Sequence, residues 1–130
     1  MILPSAAFPR AGAAVNIASQ FDGERAMAKA REPLRWELMT SAEIGDVVRS
    51  GMDLAILPVG ATEQHGAHLA TGTDTVSPEA IAWRVSALTG AVVLPSLAYG
   101  LSLGHTDQWP GTLSLHPQTM TQVVVEIGRS

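Results

Sequence analysis

Two short apolar runs, "MDLAILPVG" at residues 52–60 and "AVVLP" at residues 91–95, flank a segment with helical spacing, and each opens directly into a polar, glycine-containing loop. This arrangement constrains the fold more than any other feature of the chain. Neither run alternates strictly between apolar and polar residues, which suits a central strand covered on both faces rather than a half-solvated one. The intervening "SPEAIAWRVSALTG" offers Ser77 as an N-cap, Pro78 at the first helical position, an apolar stripe of Ile81, Val85 and Leu88, and Gly90 as a stop. A strand, a helix and a second strand in that order form a parallel crossover, so the sequence predicts α/β architecture.

The flanking segments extend the pattern. In "TSAEIGDVV", Glu43 follows Thr40 at the spacing of a capping box, Ile44, Val47 and Val48 share one helical face, and Gly51 ends the helix. After the second strand, residues 96–111 read as a long loop and "TLSL" at residues 112–115 as a short extended segment. Pro117 then fits the start of a helix containing Met120, Val123, Val124 and Ile127, with a strand as the alternative because β-branched valines cluster there. Residues 34–130 thus read as the N-terminal portion of one α/β domain with a mainly parallel central sheet. Two central strands and a small third are few for a sheet covered on both faces, and no strand follows the last helix. The domain is therefore expected to be incomplete at its C-terminus, with a small complete domain as the other organisation open to this length. Residues 1–33 lack clear periodicity and read as an Ala- and Gly-rich arm, with a short helix around Glu24 to Arg31 limited by Pro33.

Composition narrows the partners. Of 130 residues, 46% are hydrophobic and 15% charged, against about 25% charged in an average soluble domain, which predicts extensive buried surface or subunit contacts and hence a homo-oligomer. Eight Lys plus Arg against twelve Asp plus Glu give a formal charge of -4 without a basic cluster, so no nucleic-acid partner is expected. Absence of Cys removes disulfides, a thiol nucleophile and thiolate metal ligation. In the apolar opening, Pro4, Pro9, Arg10 and Asn16 interrupt every run well short of the ~18 apolar residues of a membrane span. No basic segment precedes it, so neither a membrane partner nor a secretory leader is expected, and the cytoplasm is the default location.

The loop "LPVGATEQHGAHLATGTD", residues 57–74, concentrates Glu63, His65, His68 and Asp74. Glu63 and His65 are separated by one residue, so an extended backbone points both side chains to one side. A carboxylate oxygen with an imidazole nitrogen suits zinc, manganese or another first-row divalent ion. Asp74 returns to the same place if "GAHLATG" turns, with Gly66 and Gly72 free to adopt unusual dihedrals. A structural use of each residue is also concrete: Glu63 capping a turn, either histidine giving one hydrogen bond while its ring packs, Asp74 accepting from amides ahead of Pro78. Their joint position after a strand favours function, because ligands of open α/β folds collect beyond the carboxyl ends of the strands. The second polar loop repeats that placement. There His105 can bind substrate, orient a neighbour or exchange a proton, Asp107 can orient it or face water, and Trp109 can wall a small ring or pack on apolar surface. His116, ahead of Pro117, reads as a residue leading into a helix. Neither a nucleophile elbow nor a phosphate-binding glycine fingerprint occurs.

Taken in order, "LPVGATEQHGAHLATGTDT", "VVLPSLAYGLSLGH" and "WPGTLSL" resemble the creatininase, or creatinine amidohydrolase, family over about Leu34 to Gly128. The resemblance implies a three-layer α/β fold, commonly in homohexamers, and hydrolysis of a non-peptide C–N bond in a small cyclic or linear amide by metal-activated water. It implies two divalent ions, Zn or Mn, with the positions of Glu63 and His65 each binding one and that of Asp74 bridging them. It places His105 near the substrate as the catalytic residue, with His68 and Trp109 as substrate or orienting contacts. Gly104 stands where the family often has an acidic residue before the second-loop histidine, and Trp109 where relatives often have Phe. Loss of the acidic group shifts the expectation from creatinine towards other small amides, including formamides and lactams. Relatives also continue into a further strand and a glycine-rich loop with more histidine and acidic ligands. The competing expectation is a truncated, non-catalytic homologue serving as an oligomerisation or binding module.

Overall fold

Thr40 opens the first helix by the exchange its spacing predicts. The computed structural model describes residues 31–130, where Ser41–Arg49 forms α1 with a complete capping box. The Glu43 N–H donates to Thr40 Oγ1 at 3.3 Å, and the Thr40 N–H donates to Glu43 Oε2 at 2.7 Å. Gly51, at a φ of 91°, lets the chain leave the helix. The arm expected over residues 1–33, and the short helix around Glu24 to Arg31, lie outside the described residues apart from their last positions.

Three short strands follow one another in space as β1 (Leu34–Arg35), β3 (Val92–Val93) and β2 (Ala55–Ile56), all parallel. Leu34 and Ala55 flank Val92, and Arg35 and Ile56 flank Val93. Side chains alternate between faces along a strand, so Arg35, Ile56 and Val93 share one face and Leu34, Ala55 and Val92 the other. The first face lies under α2 (Thr73–Thr89), whose Trp83 ring receives the Arg35 guanidinium at 4.5 Å. On the second face, Ala55 and Val92 border α1 through Ile44, Val47 and Val48, and Leu57 and Leu94 border α4 (Pro117–Arg129) through Ile127. Helices therefore cover both sides of the sheet, which is the three-layer arrangement.

The structure departs from the sequence expectations at several places. First, β2 is an edge strand among the described residues, not a central one; β3 is central, and Val93 and Ala91 are fully buried there. Its second neighbour is β1, two residues too short to show a period. Second, α2 starts at Thr73, after Gly72, so Ser77 is no cap and Pro78 sits inside the helix. Proline is tolerated there because it removes only the bond that would reach back to Asp74 near the helix start. Third, Ile81 and Leu88 are 64% and 55% exposed, and Val85 is exposed with them. Small residues, Ala82 and Ser86, make the buried face, and Ser86 Oγ accepts the Leu34 N–H at 2.9 Å. Fourth, the long loop contains a short helix, α3 (Leu103–Thr106). The choice left open after Pro117 resolves as helix: proline occupies its first turn, and Met120, Val123 and Ile127 form its half-buried side.

Candidate metal centre

Beyond Pro58 and Pro95 the two strands remain paired, and this carries their loops to one place. The Leu97 N–H donates to Pro58 O at 2.9 Å and the Gly60 N–H to Leu97 O at 2.8 Å. A third extended segment joins antiparallel: the Leu113 N–H donates to Thr62 O at 2.9 Å, and the Leu115 N–H to Gly100 O at 3.0 Å. Side chains fasten the same layer, with Thr62 Oγ1 donating to Ala98 O at 2.9 Å and Thr112 Oγ1 accepting the Gln64 N–H at 3.1 Å. The "TLSL" segment thus completes a platform at the carboxyl end of the sheet.

Backbones meet there at distances only glycine allows. A Cβ on Gly60 would lie 2.5 Å from Asp74 O and 2.6 Å from Thr75 Cα, and one on Gly100 would lie 2.6 Å from Gly60 O. The first loop then doubles back. Gly66 takes a φ of 75°, and the Glu63 N–H donates to Thr71 O at 2.9 Å. Gly72, expected to need an unusual dihedral, has an ordinary φ of -88° and caps α2. Thr75 Oγ1 donates to Ala61 O at 3.0 Å, fastening the first turn of α2 to the loop. Asp74 sits in that turn, where the positive end of the helix dipole favours a carboxylate.

The result is the predicted convergence. One ligand atom each from Glu63, His65 and Asp74 lies within 4.8 Å of the others. His65 Nε2 approaches Asp74 Oδ2 at 3.4 Å, and the Glu63 and His65 side chains are only 20% and 22% exposed. His65 Nε2 is buried without a hydrogen-bond partner. A buried ring nitrogen is seldom left unpaired, and this one faces oxygen donors, so the three residues fit a zinc or manganese ion. Ionisation is favoured too. A bond from the Ser102 hydroxyl holds the Glu63 carboxyl below the usual carboxylate range, aided by His105, Asp74 and His65 and opposed by burial.

The second loop supplies a separate neighbour. His105 Nδ1 lies 3.4 Å from Glu63 Oε2, and its ring meets Trp109 edge-on at 5.3 Å and 86°. His105 is not part of the three-residue cluster. His68 and Asp107 are exposed, and His68 lies outside the cluster. His116 is the N-cap position of α4, as its place before Pro117 suggests. Sequence reasoning missed Ser102, which is buried beside Glu63; only its position in the second polar loop could have pointed to it. A cavity of about 540 Å³ lies against Leu57, Leu94 and Ile127, and none of Glu63, His65 and Asp74 lines it. Polar groups converge at the cluster rather than in that apolar space.

Known proteins resemble this chain in sequence and fold. Residues 37–130 match the family described as Creatininase: Creatinine amidohydrolase. Creatinine amidohydrolase of Pseudomonas putida is 41% identical over 86 residues, 63% of this chain and 33% of that protein. The mycofactocin precursor peptide peptidase of Mycolicibacterium smegmatis is 40% identical over 89 residues, 64% of this chain and 36% of that protein. A crystal structure of creatinine amidohydrolase superposes with a TM-score of 0.71 at 37% identity, covering 76% of this chain and 40% of that one. Two further solved creatininases, one described as Zn-Zn type and one as Mn, match with TM-scores of 0.68 and 0.69. The chain spans about a third of the length of the curated relatives it matches. With the family profile covering most of its length and the fold matching over three quarters, this chain belongs to the creatininase family.

Proposed function

We propose that the complete protein hydrolyses an amide C–N bond with the help of divalent metal ions. One observation carries this reading: two carboxylates and a buried, unpartnered imidazole nitrogen converge at the carboxyl end of a parallel sheet. Glu63 and His65 would each hold one ion and Asp74 would bridge the pair, with zinc or manganese suggested by the forms described for solved relatives. Ions bound there would polarise the carbonyl and make water a stronger nucleophile. The remaining work belongs to the chain. Ser102 holds the Glu63 carboxyl below the usual carboxylate range, the His105 imidazole faces Glu63 Oε2 at 3.4 Å, and Trp109, 44% exposed, offers a flat wall to a bound amide.

We favour a small cyclic or linear amide as substrate. A peptide is the second reading, supported by the peptide peptidases among the relatives and by apolar side chains around the second loop, where Leu101, Leu103 and Trp109 are all exposed. A homo-oligomer is also proposed, with the outward face of α2 as its contact. The test is metal content and turnover of the purified protein on creatinine, formamides, lactams and short peptides. Stoichiometric zinc or manganese with turnover lost in Glu63→Gln and Asp74→Asn supports the reading. Metal-free protein, or metalled protein inert on every amide, would instead indicate the binding module.

A further inference from the structure

The second loop grips Glu63 in a way that metal ligation alone does not require. His105 Nδ1 is buried and has no hydrogen-bond partner, and Glu63 Oε2 faces it at 3.4 Å, a few tenths of an ångström beyond a good hydrogen bond. The ring is held in place from two directions. Trp109 meets the ring itself edge-on, and the backbone beneath it is fixed where the His105 main-chain N–H donates to Ser102 O at 2.9 Å. Ser102 is anchored in turn, since its own N–H donates to Ser114 Oγ at 2.8 Å, and its hydroxyl is the main influence holding the Glu63 carboxyl below its usual range. The ring nitrogens of His105 stay outside the cluster of Glu63, His65 and Asp74, so among these three His105 addresses the glutamate.

We propose that His105 is a positioning residue: its Nδ1–H donates to Glu63 Oε2 and, together with the Ser102 hydroxyl, fixes the rotation of the carboxylate so that its free lone pairs face His65 and Asp74. This rests on Glu63 being a metal ligand. A carboxylate on a glutamate stem has several rotamers to lose on binding an ion, and two donors from a separate loop remove that freedom beforehand. The same bond fixes the imidazole tautomer, leaving Nε2 as the acceptor nitrogen.

The experiment uses the full chain. Nitrogen-15 NMR of the metal-free protein at about pH 8.5, well above the ordinary imidazole pKa of ~6.5, reads the tautomer directly. His105 should be the Nδ1–H form and should lose that preference in Glu63→Ala. Zinc titration then tests the consequence. His105→Ala and Ser102→Ala should each weaken binding roughly tenfold to a hundredfold, whereas His105→Asn, which keeps a donor near the Nδ1 position, and Ser102→Thr, which keeps the hydroxyl, should recover most of the loss. An Nδ1 that is unprotonated in the metal-free protein, or that loses its proton to zinc, would overturn the proposal. So would wild-type zinc affinity in His105→Ala. If the wild-type chain takes up no zinc, the ligand assignment fails, and the tautomer in the metal-free protein still decides whether His105 donates to Glu63.

Discussion

Gly60→Ala should destabilise the protein and loosen the metal centre together. The added methyl would sit 2.5 Å from Asp74 O and 2.6 Å from Thr75 Cα, where ordinary contact begins at 3.4 Å, so about 0.9 Å must be found. Both neighbours are backbone atoms of a turn that Thr75 Oγ1 ties to Ala61 O, so no flexible side chain can swing away. Overpacking of this kind costs about 1–3 kcal/mol, and the rigid neighbours place the cost in the upper half. The lower entropy of an unfolded Ala returns about 0.4–1 kcal/mol, leaving a net loss of about 2 kcal/mol. For a described domain of this size that is roughly 8–16 °C in Tm. Movement of Asp74 by a large part of an ångström also exceeds the ~0.2 Å tolerance of a metal–ligand distance, so zinc affinity should fall at least tenfold. Urea unfolding and zinc competition measure the two effects. Gly128→Ala is the control: nothing lies within 4 Å of its Cβ position, and it belongs to α4, so it should stabilise by about 0.5–1 kcal/mol. A Gly60→Ala protein within about 0.5 kcal/mol of wild type, the range of an indifferent surface change, would refute the reasoning.

Four further outcomes are expected. Thr40→Ala removes the side-chain half of the capping box and should cost about 1 kcal/mol in chemical denaturation. The Thr40 N–H, then its hydroxyl, hold the Glu43 carboxyl below its usual value; such a group stabilises above the unfolded pKa of ~4.3 and loses that contribution as pH falls through the lowered folded value. Glu43→Gln should therefore flatten the acid side of the stability–pH curve. Ser86→Ala strands the part-buried Leu34 N–H and should cost about 1 kcal/mol or more, with loss of amide protection at Leu34 in hydrogen exchange as its local mark. If α2 makes the subunit contact, Ile81→Lys with Leu88→Glu should reduce the light-scattering mass to that of one chain while changing chain stability by no more than about 0.5 kcal/mol; an unchanged mass would move the contact elsewhere.

What could be read from the sequence was chemistry carried by neighbours in the chain. The Thr40–Glu43 box, the stop at Gly90, the buried Val92–Val93 and the alternate placement of Glu63 and His65 each follow from spacing within one segment. The errors in α2 share a different origin. Ser77-Pro78 is a sound start signal, and Ile81, Val85 and Leu88 have the stronger apolar period, yet tertiary contacts overrode both. Contacts of Gly60 and Ala61 with Asp74 and Thr75 accompany a helix beginning at Thr73, and Ala82 and Ser86 face the sheet because a close approach needs small side chains.

The site depends on that same close approach. Asp74 reaches Glu63 and His65 because α2 begins early and rests against Gly60, while Gly60 lies against Gly100 of the second loop. These glycines contribute no ligand and carry no periodic signal, so their pairing exists only in three dimensions. Ser102 and His105 add the same kind of dependence, since each bears on the site through Glu63. The ligand types are therefore local information, whereas the distance between the ligands is set by contacts between segments far apart in the chain. Substitutions at Gly60 or Gly100 should accordingly impair metal binding as severely as loss of a positioning donor, although neither glycine belongs to the cluster.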